Sequence, residues 1–460
     1  MKNYEQYKRM VKFILSVIIL SLEMAVFWYI WLHYYNSKME TPYNRTGHWL
    51  MVAVYGILLV VFHTLYGGLR VGYLKTWNMI YSQSLASISA NVMIYLQITL
   101  LTKHFQTVLP LLVMYIFEFS AICIWSFLAT RIYRFLYPPR KVLLIYGEHP
   151  IASLMGKLHT RNDRFVIGEI LHISVGMEAI QDKIRKYEGV VICDIPSHLR
   201  NVILKYCYKK SIRTYTTPKI SDILVRSSES LHLFDTPLLL LRNNGLTFEQ
   251  RVIKRGMDLV LSLTALIFLS PVFLVTAAAI KLTDNGPVFY FQERCTKDGK
   301  VFRICKFRSM VEDAEKEGHS IPATAEDPRI TPVGRIIRAT RIDELPQILN
   351  ILKGDMSIVG PRPERIEHVE LYSKQIPEFA YRMRVKGGLT GYAQVYGKYN
   401  TSAYDKLKLD LMYIQNYSLM MDVGIIFKTV KVLFMKESTE GFNKPSALTI
   451  TDQCIAKNQK

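Results

Sequence analysis

A chain of 460 residues is too long for one ordinary domain, and at roughly 100 to 200 residues per domain it divides into two to four units. Half of its residues are hydrophobic and its formal net charge is +20. That combination suits a membrane protein with phosphorylated or anionic partners and, without an RNA-binding or helix-turn-helix signature, argues against nucleic acid.

Four apolar stretches open the sequence, at about 11 to 34, 48 to 66, 82 to 102 and 107 to 130. Each approaches the ~20 residues a helix needs to cross a bilayer. The first is too long for a signal peptide and lacks a small-residue cleavage site, so it reads as an anchor. Lys2, Lys8, Arg9 and Lys12 precede it, Arg70 and Lys75 follow the second, and Arg131, Arg134, Arg140 and Lys141 follow the fourth. By the positive-inside rule both ends of this four-helix region, residues 1–137, face the cytoplasm. The spans hold few ionisable residues (Glu23, His33, His63, Glu118) and no internal repeat, so anchoring is expected rather than transport.

Residues 138–245 change character. "KVLLIY", "RFVIGEIL" and "GVVICDI" suit buried strands, and "AIQDKIRKYE" has helical spacing, which predicts an α/β unit of the nucleotide-fold kind. Its first turn, "YGEHPIASLMGK", lacks G-x-G-x-x-G, so the unit is expected to be a scaffold or regulator without a dinucleotide site. The six cysteines (Cys123, Cys193, Cys207, Cys295, Cys305, Cys454) include no C-x-x-C pair and are expected to be reduced thiols.

A fifth apolar run covers about 257–282, preceded by Lys254 and Arg255, with Asp258 at its start and Ser270-Pro271 at its middle. Proline removes a backbone hydrogen bond and kinks a helix. The run itself admits two topologies, a straight crossing or a bent helix that enters and leaves by one face.

Beyond it, "YFQERCTKDGK", "CKFRSM", "DPRITPVGRIIRATRIDELPQ", "VGPRPE" and "VKGGLTGYAQV" are rich in basic and turn residues. The arginine fork suits phosphate, and Arg294, Lys306, Arg308, Arg329, Arg338 and Arg362 are the candidates to neutralise a diphosphate. Asp343 and Glu344 stand side by side on what reads as an apolar helix, and like charges in contact disfavour each other's ionisation. One such carboxylate can attack phosphorus while its neighbour helps hold a divalent cation, and magnesium takes few carboxylates plus substrate phosphates. The plainer reading is an acidic first turn favoured by the helix dipole.

From "KRGMD" through "FQER", "KFRSM", "DPRITPVG", "IDELPQILNILKGDMSIVGPRP", "GLTGYAQV" and "KLDLMYIQNYSLMMD", over about residues 250 to 435, the chain resembles the bacterial sugar transferases of the monotopic phosphoglycosyl transferase kind. The resemblance implies three parts: an α-helical membrane bundle, an α/β nucleotide-fold-like domain, and an α/β catalytic domain over 246–435 with a re-entrant membrane helix. A polar tail, 436–460, follows. It further implies transfer of a sugar 1-phosphate from a UDP-hexose to undecaprenyl phosphate, giving undecaprenyl-diphosphate-sugar and UMP, as the first membrane step of exopolysaccharide, capsule or O-antigen synthesis. Asp343 matches the family's nucleophile, Glu344 its magnesium-associated glutamate, and Arg338 and Arg362 its phosphate-binding positions. Ser270-Pro271 matches the break of the re-entrant helix, and Lys254, Arg255 and Asp258 the cluster at its mouth, at the lipid-phosphate interface. Mg2+ as cofactor, the cytoplasmic face of the inner membrane, polysaccharide assembly proteins as partners and a homodimer are the accompanying expectations. The family usually has Lys-Pro-Gly before "LTG", and this chain has Lys386-Gly387-Gly388. The alternative is a catalytically silent scaffold of a polysaccharide assembly complex.

Overall fold

The four leading apolar stretches form helices α1 (Lys8–Ile30), α2 (Arg45–Tyr66), α3 (Thr76–Thr102) and α4 (Leu109–Leu136). In this computed structural model, which describes residues 4–147, 151–241, 245–311, 327–397 and 401–433, each of the four packs on two others and closes a bundle. All four are long and apolar enough to cross a membrane, and their outer faces are left uncovered. Lipid gives no hydrophobic drive for helices to associate, so packing and interhelical hydrogen bonds must hold them together. The polar residues of the third span do so. Gln83, Ser87 and Asn91 recur every four residues and line one stripe of α3. Ser87 Oγ donates to Glu23 Oε2 of α1 at 3.2 Å, where His63 Nε2 of α2 also lies, 3.1 Å away. Tyr55 of α2 donates to Glu118 Oε1 of α4 at 2.6 Å, and Asn91 Nδ2 reaches Glu118 Oε2 at 2.8 Å. Each carboxylate is therefore shared among three helices.

The next segment follows the strand expectation closely. Strands β1 (Arg140–Tyr146), β2 (Phe165–His172), β3 (Gly189–Cys193) and β4 (Arg213–Thr216) form one parallel sheet in the order β2-β1-β3-β4. Helices α5 (Ala152–His159), α6 (Met177–Ile184) and α7 (Ser197–Lys209) connect them. Alternate residues of β1 face opposite sides: Leu143 and Ile145 meet α6 and α7 through Ile180, Ile184 and Ile203, whereas Val142 and Leu144 meet α5 through Met155. Both faces are covered, which is why these strands read as continuous apolar runs. Residues 148–150 of the turn after β1 lie outside the described residues. Cys123, Cys193, Cys207, Cys295 and Cys305 are free thiols, and Cys454, with the tail from 436, lies outside the described residues.

The chain divides into compact units after Thr217, earlier than the expected boundary at 245, with bundle and sheet in the first unit. Helix α8 (Ile220–Arg226) explains the shift: Ile220 and Ile223 are buried with Leu246, Phe379 and Leu411, in the core of the second unit. Strands β5 (Glu229–Leu233) and β6 (Thr236–Leu240) then make an exposed hairpin.

The fifth apolar run begins nine residues before its expected start, as α9 (Phe248–Asp284), because Thr247 and Gln250 form a capping box there. It passes Pro271 without interruption. Proline leaves the carbonyl of Ile267 without its usual donor, and Ser270 Oγ supplies one at 2.8 Å. The remaining sequence motifs follow on β7 (Phe289–Cys295), β8 (Val301–Phe307), α10 (Pro332–Ala339), α11 (Gln347–Lys353), β9 (Ser357–Val359), α12 (Ile366–Gln375), β10 (Gly388–Thr390), α13 (Tyr392–Tyr396), α14 (Ala403–Gln415) and α15 (Leu419–Leu433). β7 and β8 pair antiparallel, and β9 and β10 parallel.

Removing the shared acceptor of the bundle tests its role. Hydrogen bonds buried in membranes average about 0.6 kcal/mol, so Glu118→Ala, losing two, is expected to destabilise the bundle by about 1 kcal/mol and Glu118→Gln by less. Thermal midpoints of the purified protein in one detergent read the difference.

Candidate active site

Asp343 and Glu344 do not sit within a helix, as the sequence suggested, but in a single 3-10 turn, Ile342–Glu344, between α10 and α11. Arg341 enters that turn with φ of 56°, a left-handed conformation that costs a non-glycine residue about 1 kcal/mol. Pro346, lacking an N–H, stands just before α11, where no helical donor is needed.

The turn is set against β8 by Asn350 of α11, whose Oδ1 accepts from the Cys305 N–H at 2.9 Å and whose Nδ2 donates to the Arg303 carbonyl at 2.8 Å. The next residue on β8, Lys306, thereby reaches Glu344 Oε1 at 3.2 Å. Arg362, from the Gly-Pro-Arg-Pro turn after β9, forks onto the same carboxylate, with Nη2 at 2.5 Å from Oε1 and Nη1 at 3.4 Å from Oε2. Asp343 has no hydrogen-bond or ion-pair partner among the described residues.

The adjacent acids consequently separate in acidity. Burial raises Asp343 above its ordinary 3.8 and the charge of Glu344 adds to the rise, against Lys306, Arg338 and Arg362. Burial acts on Glu344 in the same direction, but Arg362 and Lys306 outweigh it and hold that carboxyl well below the usual range. Burial also lowers Lys306, with Glu344 opposing. Arg294 of β7 sits close by, donating to the Pro363 carbonyl at 3.3 Å, with its Nε buried and unpaired. Burial, with Arg362 and Arg365 beside it, pushes its guanidinium down to about 10, still charged at neutral pH.

Of the residues singled out in sequence, the structure thus gathers Asp343, Glu344, Lys306, Arg362, Arg294 and Arg338, the last sensed by Asp343 through its charge. Others go elsewhere. The Arg308 guanidinium packs on Gly286 at the end of α9, so closely that a Cβ there would lie 1.9 Å from it. Arg329 is engaged by Asp327 at 2.6 Å. Lys254, Arg255 and Asp258 turn inward: Lys254 pairs with Asp422 of α15 at 2.5 Å, and Arg255 donates to the Ile351 and Leu352 carbonyls at 2.6 and 2.8 Å. Asp258 accepts from the Ile358 N–H at 3.0 Å. The foot of α9 is thus tied to both segments that flank the site, α11 and β9. Sequence reading passed over Asn350, whose signal is slight: one amide among apolar helix residues.

Gly387, where the family usually has proline, has a local reason. Its N–H donates to Thr296 Oγ1 at 3.1 Å, and a Cβ there would lie 2.5 Å from Cγ of Pro363. Among the described residues no group of three or more His, Cys, Asp or Glu side chains gathers as a metal cage. The acidic pair itself suits magnesium, which takes one or two carboxylates plus substrate phosphates. Among the described residues Asp343 is unpartnered, and Oε2 of Glu344 has a single long contact, with Arg362 Nη1.

Residues 249–436 match the sequence model of the bacterial sugar transferase family. The chain is 41% identical over 233 residues to the UDP-N-acetylgalactosamine-undecaprenyl-phosphate N-acetylgalactosaminephosphotransferase of Aeromonas hydrophila, covering 50% of this chain and 54% of that one. It is 37% identical over 297 residues to the UDP-glucose:undecaprenyl-phosphate glucose-1-phosphate transferase of Klebsiella pneumoniae, 64% of this chain and 60% of that one. To the sugar transferase EpsL of Bacillus subtilis it is 38% identical over 200 residues, 44% of this chain and 96% of EpsL. The chain thus spans little more than half the length of the first two relatives.

Two outcomes follow from this geometry. A carboxyl raised above its unfolded value binds its proton more tightly when folded, so ionised Asp343 opposes folding at neutral pH, and that penalty fades as pH falls through its folded value towards 3.8. Asp343→Asn is therefore expected to melt above the parent protein at pH 7, with the gap closing at acid pH in thermal scans. Gly387→Pro loses the Thr296 bond and crowds Pro363, and is expected to lower the thermal midpoint.

Proposed function

Because the chain belongs to the bacterial sugar transferase family, we propose that it transfers a sugar 1-phosphate from a UDP-hexose to undecaprenyl phosphate, beginning a surface polysaccharide repeat. The observation that carries this reading is the unequal sharing of cations between neighbouring carboxylates. Glu344 takes Lys306 and Arg362, and Asp343 is left unpaired beside them. An oxygen of Asp343 attacks the sugar-bearing phosphorus of the donor. The bond to the bridging oxygen breaks and UMP leaves with the electron pair, giving an acyl phosphate on Asp343. The phosphate oxygen of the lipid acceptor then attacks the same phosphorus, forming the diphosphate and returning Asp343 as carboxylate. Arg338 and Arg294, whose buried Nε lacks a partner, receive the donor's diphosphate oxygens. Arg362 and Lys306 keep Glu344 ionised within reach of that charge. Glu344 would hold Mg2+, and the chemistry that ion would supply is neutralisation of phosphate charge.

The reaction joins a soluble donor to a membrane acceptor, so the site must lie at the membrane surface. We place it on the cytoplasmic face of the inner membrane, with α9 re-entrant. Both ends of α9 pack on the same unit, Lys254 and Asp258 near one end and Ile280 against Phe307 and Ile337 near the other, whereas its middle exposes Ile267, Phe268 and Leu274. A straight crossing would separate those ends by the thickness of the bilayer. Ser270-Pro271 sits in the exposed middle, where a bend fits re-entry.

A panel of UDP-hexoses, scored by UMP release from purified membranes containing undecaprenyl phosphate, tests the reading. At least one donor is expected to turn over, with Asp343→Asn falling to background and Arg362→Ala losing about a hundredfold or more, as for loss of a preorganised charge contact. Turnover should also fall on acidification at a pH above the ordinary carboxylate range, since Asp343 must be ionised. Turnover by Asp343→Asn at the parent rate, or none by the parent with any donor, overturns it.

A further inference from the structure

Beyond Gly360, whose N–H donates to the Thr390 carbonyl at 2.8 Å, the turn runs through residues 361–364, and two of these four, Pro361 and Pro363, have no N–H to tie down. The turn is held instead by its carbonyls. Pro361 accepts from the Gly388 N–H at 2.9 Å, Arg362 from Arg382 Nη2 at 3.0 Å, Pro363 from Arg294 Nη1 at 3.3 Å and Glu364 from the Cys295 N–H at 3.0 Å. Two of these four donors are backbone amides and one is an arginine of the site itself. The fourth, Arg382, lies behind the turn, 4% exposed, in the 3-10 segment Pro377–Arg384.

Every nitrogen of the Arg382 fork is in use. Nε and Nη2 hold Asp410 of α14 at 2.9 and 2.8 Å, Nη1 holds Glu364 at 3.3 Å, and Nη2 also serves the Arg362 carbonyl. Asp410 is itself 1% exposed. A guanidinium so enclosed meets no substrate, yet it bonds directly to the backbone of the residue that clamps Glu344. We propose that Arg382 is a positioning residue for the transfer reaction: through the Arg362 carbonyl it sets the fork of Arg362 on Glu344, and Asp410 and Glu364 hold it to that task. The planar fork is required, because a lysine ammonium on its flexible stem cannot bond a carbonyl and two carboxylates in this arrangement at once. A misplacement of about 1 Å at such a contact costs up to a hundredfold in rate.

This inference rests on the functional reading above, and a double-mutant cycle separates the two. Arg382→Lys, which keeps the charge, is expected to lose about tenfold in kcat/KM for the donor, in the same kinetic parameter that Arg362→Lys changes. In an Arg362→Ala background Arg382→Lys should cost less than about threefold further, because the group it positions is gone. Additive losses overturn the inference while leaving the functional reading intact, whereas failure of the parent protein to release UMP from any donor sinks that reading. Should Arg382→Lys fold poorly by thermal midpoint, Glu364→Gln, which weakens a single arm of the fork, takes its place in the cycle with the same two outcomes.

Discussion

Two carboxylates on neighbouring residues in a half-buried turn repel each other, and the segments packed around that turn resolve the repulsion. The resolution is asymmetric. Glu344 receives both near cations, a guanidinium fork and an ammonium, and Asp343 receives neither. A paired carboxylate is stabilised as an anion and made a poor nucleophile. An unpaired one beside it, made a weaker acid by burial and by its neighbour's charge, keeps its lone pairs free of any cation. The difference between the two carboxylates follows from the distribution of their partners.

That distribution is produced by three segments distant in sequence. Lys306 comes from β8, the acidic pair from the turn before α11, and Arg362 from the turn after β9. Asn350 fixes the first against the second with two backbone hydrogen bonds. Arg382 and Arg294 fix the third by its carbonyls. The foot of α9 then ties α11 and β9 together through Arg255 and Asp258, so the apolar helix is joined to the frame of the site rather than appended to it. Movement of that helix would be felt at both flanks of the acidic pair.

The apolar segments use polar groups in the same economical way. In the bundle, Glu23 and Glu118 are each shared among three helices, which makes the Ser, Gln and Asn of α3 structural residues. In α9, Ser270 satisfies the carbonyl that Pro271 leaves open, so the helix continues where proline alone would end it. In both places a polar residue within an apolar run answers a backbone or side-chain group that lipid cannot solvate.

The sequence by itself determined the elements and the family. Apolar runs of membrane length, strands buried on both faces and a long ordered series of motifs are local patterns, and their periodicity and spacing carry directly into helices, strands and the transferase match at 249–436. It also singled out Asp343, Glu344, Lys306 and Arg362. Only the tertiary structure decided how these divide their charges, because pairing depends on distances between β8, the acidic turn and the Gly-Pro-Arg-Pro turn that no local pattern encodes. It likewise sent Arg308 to Gly286, Arg329 to Asp327 and Lys254 to Asp422, and brought in Asn350 and Arg382. An arginine or lysine in sequence is a long, flexible donor with many reachable partners, and which partner it takes is settled by what the fold leaves buried and unpaired within its reach.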